Sequence, residues 1–250
     1  MRKFLAASFV LALGCSAEDS PTETPSSFCT KWAEAACSSE TVSVCGAADV
    51  DQCRGSQIAS CLDRVPTAGF SGSTAGACLD AVRSAYADAD LTATELETVL
   101  RLGAPCDRLV EGPQKEGELC SSRADCNTPD GFDCVFKGNE AMGTCQVPRT
   151  VGAGLDCSDD NAVCGEGFYC NGQNCIGGQS AGVACVTDRQ CSLTTYCDAS
   201  NSCAERLAVD SPCTSDAECA TGLCYQFGSE RVCTDRVRLS RTEPICDDLR

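Results

Sequence analysis

Twenty-five cysteines and no histidine in 250 residues leave this chain few ways to fold. Thiols at such density either hold metal or cross-link. Metal–thiolate sites need closely spaced ligands, typically C-x2-C, often with histidine. The shortest spacing here is C-x4-C, at Cys170 to Cys175 and Cys219 to Cys224. Cross-linking is therefore the reading, and it implies an oxidising compartment. Leu, Ile, Val and Phe are sparse and the net charge is −17, a combination that ordinarily means disorder. Disulfides reverse that expectation. A bridge closing a loop of about 15 residues stabilises by roughly 3 kcal/mol, by restricting the unfolded chain. Cross-links can thus replace the core that this composition cannot build.

The chain opens with Arg2 and Lys3, then the apolar run Phe4 to Leu13 and the small Gly14. This is an export signal, too short for the roughly 20 residues of a spanning helix. Two processing routes compete. An ordinary signal peptidase would cut after Gly14, since Ala12 and Gly14 are small. Alternatively, "ALGCS" resembles a bacterial lipobox, with Cys15 becoming an acylated (palmitate-type) first residue, although Ala12 stands where leucine is usual. Parity favours the second route: lipidation of Cys15 leaves an even set of 24 cysteines. The following polar, cysteine-free stretch, residues 16–27, suits a flexible tether. The expected product is a lipoprotein on the bacterial outer membrane or cell surface, bound to the membrane by its lipid.

Beyond the tether, residues 28–106 form a helical cysteine-rich unit. Cys29, Cys37, Cys45, Cys53 and Cys61 fall eight apart, so they cannot share one helix face. Several short bridged helices are expected: Phe28 to Cys37, Asp49 to Arg64, Ser73 to Ala87, and one started by Thr92 and Glu95 as a capping box and stopped at Gly103. Trp32 and Phe28 read as core residues. A connector, residues 107–118, leads to 119–250, where four units begin at Cys120, Cys157, Cys185 and Cys213. Polar segments "SSRAD", "VTDRQ" and "TSDAE" separate the first two cysteines of three units. "GFDC", "GFYC", "TTYC" and "GLC" end on the third cysteine. Glycine there permits a left-handed turn, and the bulky neighbour is expected to cover the disulfides. The predicted fold is small and disulfide-rich, a short-helix unit followed by four β-hairpin repeats.

The recurring "G-x-x-C … C-x-x-G-[FL]-x-C … C" texture of residues 103–250 resembles the Dickkopf N-terminal cysteine-rich domain. Related domains stand in tandem in bacterial lipoproteins behind a helical front segment. The resemblance implies extracellular protein binding and no catalysis. It carries no receptor specificity, because the paired-domain arrangement of the animal ligands is absent.

Each four-cysteine unit allows three connectivities. Interleaved pairing, first to third and second to fourth, ties both hairpin arms over larger loops and is predicted throughout. This gives Cys120–Cys134 with Cys126–Cys145, and Cys157–Cys170 with Cys164–Cys175. It also gives Cys185–Cys197 with Cys191–Cys203, and Cys213–Cys224 with Cys219–Cys233. The front segment holds an odd set, which forces one bridge outward to Cys246. Cys106 is the expected partner, unless the last repeat takes Cys246 and frees another cysteine.

Without histidine no Ser-His-Asp or Cys-His site can form. No phosphate-binding glycine motif occurs, and no cofactor or metal is expected. Asp156, Asp159, Asp160 and Asn161 are the best cation candidates, but they lack EF-hand alternation and read as a solvated turn. Loss of Arg2 and Lys3 with the signal takes the net charge from −17 to −19, which argues against nucleic acid. The sequence thus predicts a non-catalytic binding or adhesion module for a surface or extracellular protein or glycan. Alternatives are a protease inhibitor acting through "FKGNEAMG" (residues 136–143) or a structural envelope protein.

Overall fold

The computed structural model describes residues 23–137 and 140–250. The signal segment, Cys15 and tether residues 16–22 lie outside the described residues. The fold is disulfide-rich, with short helices in front, short hairpins behind, and no described helix long and apolar enough to cross a membrane. All 24 described cysteines are bonded, in twelve disulfides. That number of bridges places the folded chain in an oxidising, extracytoplasmic environment.

Helix α1 spans Pro25–Ala36, opened by a reciprocal Thr24–Ser27 capping box with Pro25 at its first position. The tether expected over 16–27 therefore ends earlier, because Thr24 already caps a helix and Glu23 pairs with Lys31. Helix α2, Ser39–Cys45, was not expected from the sequence. It is only seven residues long, but Ser38 caps it and Gly46 ends it in the left-handed region. Helix α3 follows at Val50–Arg64 behind the Asp49 cap. Cys29–Cys61 and Cys37–Cys53 lock α1 antiparallel to α3. The eight-residue spacing thus makes two rungs, about 12 Å apart along each helix at 1.5 Å per residue.

Helix α4 is Ala75–Ala85 and α5 is Ala93–Arg101, the latter opened by the expected Thr92–Glu95 capping box. Leu102, not Gly103, takes the left-handed cap conformation, at φ 53°. Gly103 serves close approach instead, since a Cβ there would stand 2.6 Å from Glu97 Cγ. Phe28, Trp32, Leu91, Leu96, Val82 and Val99 are fully buried in one core with the front cysteines.

Residues 236–250 belong to this helical unit and not to the repeats. Arg236–Arg238 pairs antiparallel with Asp90–Thr92, setting buried Val237 opposite buried Leu91. The turn Pro244–Leu249 then packs on α2 and α3, burying Ile245, Cys246 and Leu249. A relay fixes it: Trp32 Nε1 donates to Gln57 Oε1 at 2.9 Å, and Gln57 Nε2 donates to the Asp248 carbonyl at 2.7 Å.

The tail folds back as the odd cysteine count requires, but the expected Cys106–Cys246 bridge is not formed. Cys246 bonds Cys45 at the end of α2, and Cys106 bonds Cys78 on α4. The reason is the docking site. The strand pairing beside α5 directs the tail toward α2 and α3, while the short helical turn at Cys106 already rests on α4.

Candidate functional site

Each repeat pairs its first cysteine with its third and its second with its fourth, the interleaved pattern, in all four units. A common hydrogen-bonded frame surrounds the bridges. Three residues before the first cysteine stand Gly117, Gly154, Gly182 and Asp210, all with positive φ. Each donates its N–H to the carbonyl of the fourth cysteine, at 2.7–2.8 Å. Three residues earlier still, Gln114, Val151, Gln179 and Leu207 pair in parallel with the second cysteine. The frame therefore extends ahead of the cysteines into what the sequence presented as connectors.

The polar segments between the first two cysteines close on themselves. Asp125, Gln190 and Glu218 each accept the N–H of the residue just after the first cysteine, at 2.6–2.8 Å. The Ser121 backbone N–H and hydroxyl hold the Asp125 carboxyl below its ordinary range, and the Thr214 hydroxyl and N–H do the same for Glu218. In repeats three and four, Asp188 and Asp216 accept the N–H of the third cysteine, both at 2.7 Å. Burial works against the Asp216 charge, but the Cys224 N–H and Arg101 outweigh it and keep its pKa low.

Repeat one is seated on the helical unit through the connector: Thr128 Oγ1 donates to the Val110 carbonyl and Arg123 bridges Asp107 and Asp133. The connector is itself held by the Ser71 N–H on the Leu109 carbonyl at 2.8 Å and the Thr74 hydroxyl on the Arg108 carbonyl at 2.7 Å. Repeat four seats on the same unit, through the Arg101–Asp216 pair at 2.8 Å and through Leu223 and Tyr225 in the main core. The array therefore leaves the helical unit and returns to it as a closed circuit. The bulky residues before the third cysteine consequently do not share one role. Phe132 covers its own disulfides as expected, but Leu223 joins the helical core and Phe168 is 38% exposed. What each touches depends on its neighbour in the circuit.

Between repeats the contacts are few. Lys137 donates to the carbonyls of Cys157, Asp159 and Ala162, matching its three ammonium protons and locking repeat one to repeat two. Gln179 Nε2 donates to Tyr169 Oη at 2.9 Å between repeats two and three. The acidic cluster is accounted for by this arrangement. Asp159 pairs with Arg149, Asp156 accepts the Ser158 N–H, and a lysine already fills the neighbouring carbonyls.

Where repeats one, two and three meet lies a cleft of about 590 Å³. Phe136, Val163, Phe168 and Leu193 line it, with Glu166 and Arg189 among its charged residues. The Arg189 guanidinium stands 4.9 Å from the Phe136 ring centroid. A second recess, about 740 Å³, lies at the seam of α5 and repeat four. Its arginines are committed internally: Arg101 to Glu97 and Asp216, Arg231 to the Thr214 and Cys224 carbonyls. The arginines of the first cleft are engaged as well, Arg189 over Phe136 and Arg206 on the Ala217 carbonyl. The carboxylates separate the two: Glu97 and Asp216 of the second recess both pair with Arg101, whereas Glu166 at the first cleft is exposed and in no ion pair among the described residues, which makes the first cleft the better candidate site. In the candidate inhibitor loop, Gly138 and Asn139 lie outside the described residues, and Phe136 and Lys137 are engaged by neighbouring repeats.

Of the apolar cleft residues, Phe136 lies in the loop 136–143 and Phe168 in the "GFYC" segment that the sequence singles out. Leu193 carried a usable signal, an apolar residue 59% exposed in the otherwise polar stretch after Cys191. Val163 and Glu166 carried none. Sulfur triads such as Cys120, Cys126 and Cys145 approach metal-site spacing, but each sulfur is in a disulfide and offers no thiolate. No family model, curated protein or solved structure matches the chain. Fold and site define its class without a relative: a disulfide-framed repeat protein closed on a helical base.

Proposed function

We propose that the chain is a lipid-anchored, non-catalytic binding module, held on a bacterial outer membrane or cell surface through Cys15. One observation carries the reading: the twelve disulfides use every cysteine except Cys15. An otherwise complete set leaves that thiol to the acylation its lipobox-like setting suggests. Multiple acyl chains, at about 0.8 kcal/mol per buried CH2, give a stable anchor. In the sequence the helical unit follows Cys15 and the array follows the helical unit, and the array offers a preformed cleft at low ordering cost. The likeness to Dickkopf-type repeats points the same way. A fatty-acid analogue should label the protein in its host, and Cys15→Ala should abolish the label and release the chain from membranes. An unlabelled wild type would refute the anchor. Failure of the soluble mature chain to bind saturably to intact cells or extracellular fractions would refute the binding role.

A further inference from the structure

We propose that the cleft where repeats one, two and three meet docks a basic, apolar segment of a partner protein. This rests on the reading of the chain as a binding module and adds its site and the chemistry of its partner. Thirteen large apolar side chains are exposed among the described residues, and seven of them fall between Leu155 and Leu193. Scattered single apolar residues need no explanation. Here, however, Val163, Phe168 and Leu193 converge with Phe136 on one concavity. Gly167 permits the arrangement, since a Cβ there would meet the Leu193 side chain at 3.3 Å on a backbone already at φ +79°. An apolar concavity with a few charged groups at its edge is the usual form of a recognition site.

Charge selects the occupant. Residues 152–206 carry seven carboxylates and two arginines, a net charge of −5. Among those carboxylates only Asp159 has an ion pair in the described structure. Glu166 stands exposed at the cleft without a cationic partner. Of the two arginines, Arg189 stacks on Phe136 and Arg206 donates to the Ala217 carbonyl. Asp133, Glu166 and Asp188 line the cleft against Arg189 and Arg206, a net charge of −1 inside a region of −5, and this balance favours a Lys- or Arg-bearing segment with an apolar centre. A second copy of this chain would bring two such negative surfaces together, and like-charge juxtaposition disfavours it.

The test uses the oxidised mature chain and synthetic twelve-residue peptides with a Leu-Phe centre, flanked by lysines, by serines or by glutamates. Fluorescence anisotropy should show the lysine peptide binding at least about tenfold tighter than the glutamate one, and weakening as salt rises. Leu193→Ala and Glu166→Lys change exposed side chains and leave the disulfide map intact. Each should weaken the lysine peptide about fivefold, as truncation of an anchor or reversal of a rim charge does. Equal binding of all three peptides, no binding of any, or binding untouched by both variants overturns the proposal. So does salt-promoted self-association through this face. None of these results touches the binding-module reading if the mature chain still binds saturably to cells. That reading falls on the cell-binding result alone.

Discussion

Removing the Cys45–Cys246 bridge by the double substitution Cys45→Ser, Cys246→Ser should destabilise the whole chain, not just its tail. The bridge spans a sequence separation of 201. For an otherwise linear chain, the loop-entropy relation gives about 5 kcal/mol for a circuit of this length. Other disulfides inside the circuit provide shortcuts, reducing it to about 120 residues. Because the dependence is logarithmic, that lowers the figure by only about 0.5 kcal/mol. Non-covalent docking survives in the double variant through buried Leu249, Ile245 and the Leu91–Val237 pairing. Measured losses often fall below the entropic value, so about 3–5 kcal/mol is expected. Guanidinium unfolding with all other bridges intact measures it. Hydrogen exchange should lose protection first at residues 236–250 and the paired strand Asp90–Thr92. A loss below about 1 kcal/mol would refute the closure argument, since the bridge would then restrain little of the unfolded ensemble. Non-reduced peptide mapping that paired Cys246 with any other cysteine would refute it outright.

Gly154→Ala should cost about 1 kcal/mol or more, because φ is +73° there and alanine is strained in that region. Asp210→Gly, at the equivalent position with φ 67°, should be neutral or slightly stabilising, so thermal melts should fall for Gly154→Ala and stay level or rise for Asp210→Gly. Acid should loosen the repeats before the helical unit. Asp125, Asp156, Asp198, Asp216 and Glu218 all have lowered pKa values in the fold, set against ordinary values of 3.8 for Asp and 4.5 for Glu. A lowered folded pKa means stability that is fully present above the unfolded value and lost as pH falls through the folded one. Exchange protection in the repeats should therefore be flat from pH 7 to about 5 and fall below about 4.5. Protection that rose on acidification would contradict the assignment of these carboxylates as turn acceptors.

How much of this was legible in the sequence depended on the range of the interaction concerned. The repeats were legible because cysteine spacing fixes local loops, and the interleaved pairing follows from loops of 11 to 19 residues. The glycine positions were legible for the same reason: a left-handed turn is a property of one residue. Cys106 was misassigned because the tail's destination is a long-range matter. It is set by three-residue strands, Asp90–Thr92 and Arg236–Arg238, too short to show a pattern. It is set also by α2, whose seven residues carry caps but little apolar periodicity. The cleft was illegible for a related reason. Phe168 and Leu193 come together only because of how repeat two sits on repeat three, and no spacing in the chain encodes that angle.

The same distinction bears on how the array can hold a cleft at all. Interleaved disulfides make each repeat rigid internally, but no described disulfide joins one repeat to another. Orientation between repeats falls to Lys137, to Arg189 over Phe136, to the Gln179–Tyr169 bond and to Arg206, a thin set of surface contacts. In an open string such contacts, each worth about 1 kcal/mol, would permit hinging at every junction. Closure changes this. With repeats one and four both seated on the helical unit, a hinge at one junction must be compensated at the others. Small contacts then act together. The C-terminal clasp reinforces this closure, beside the Arg101–Asp216 pair and the seating of Leu223 and Tyr225 in the main core. Opening it should loosen the alignment of Phe136, Phe168 and Leu193, although Cys45 and Cys246 lie in the helical base and not in the repeats that form the cleft.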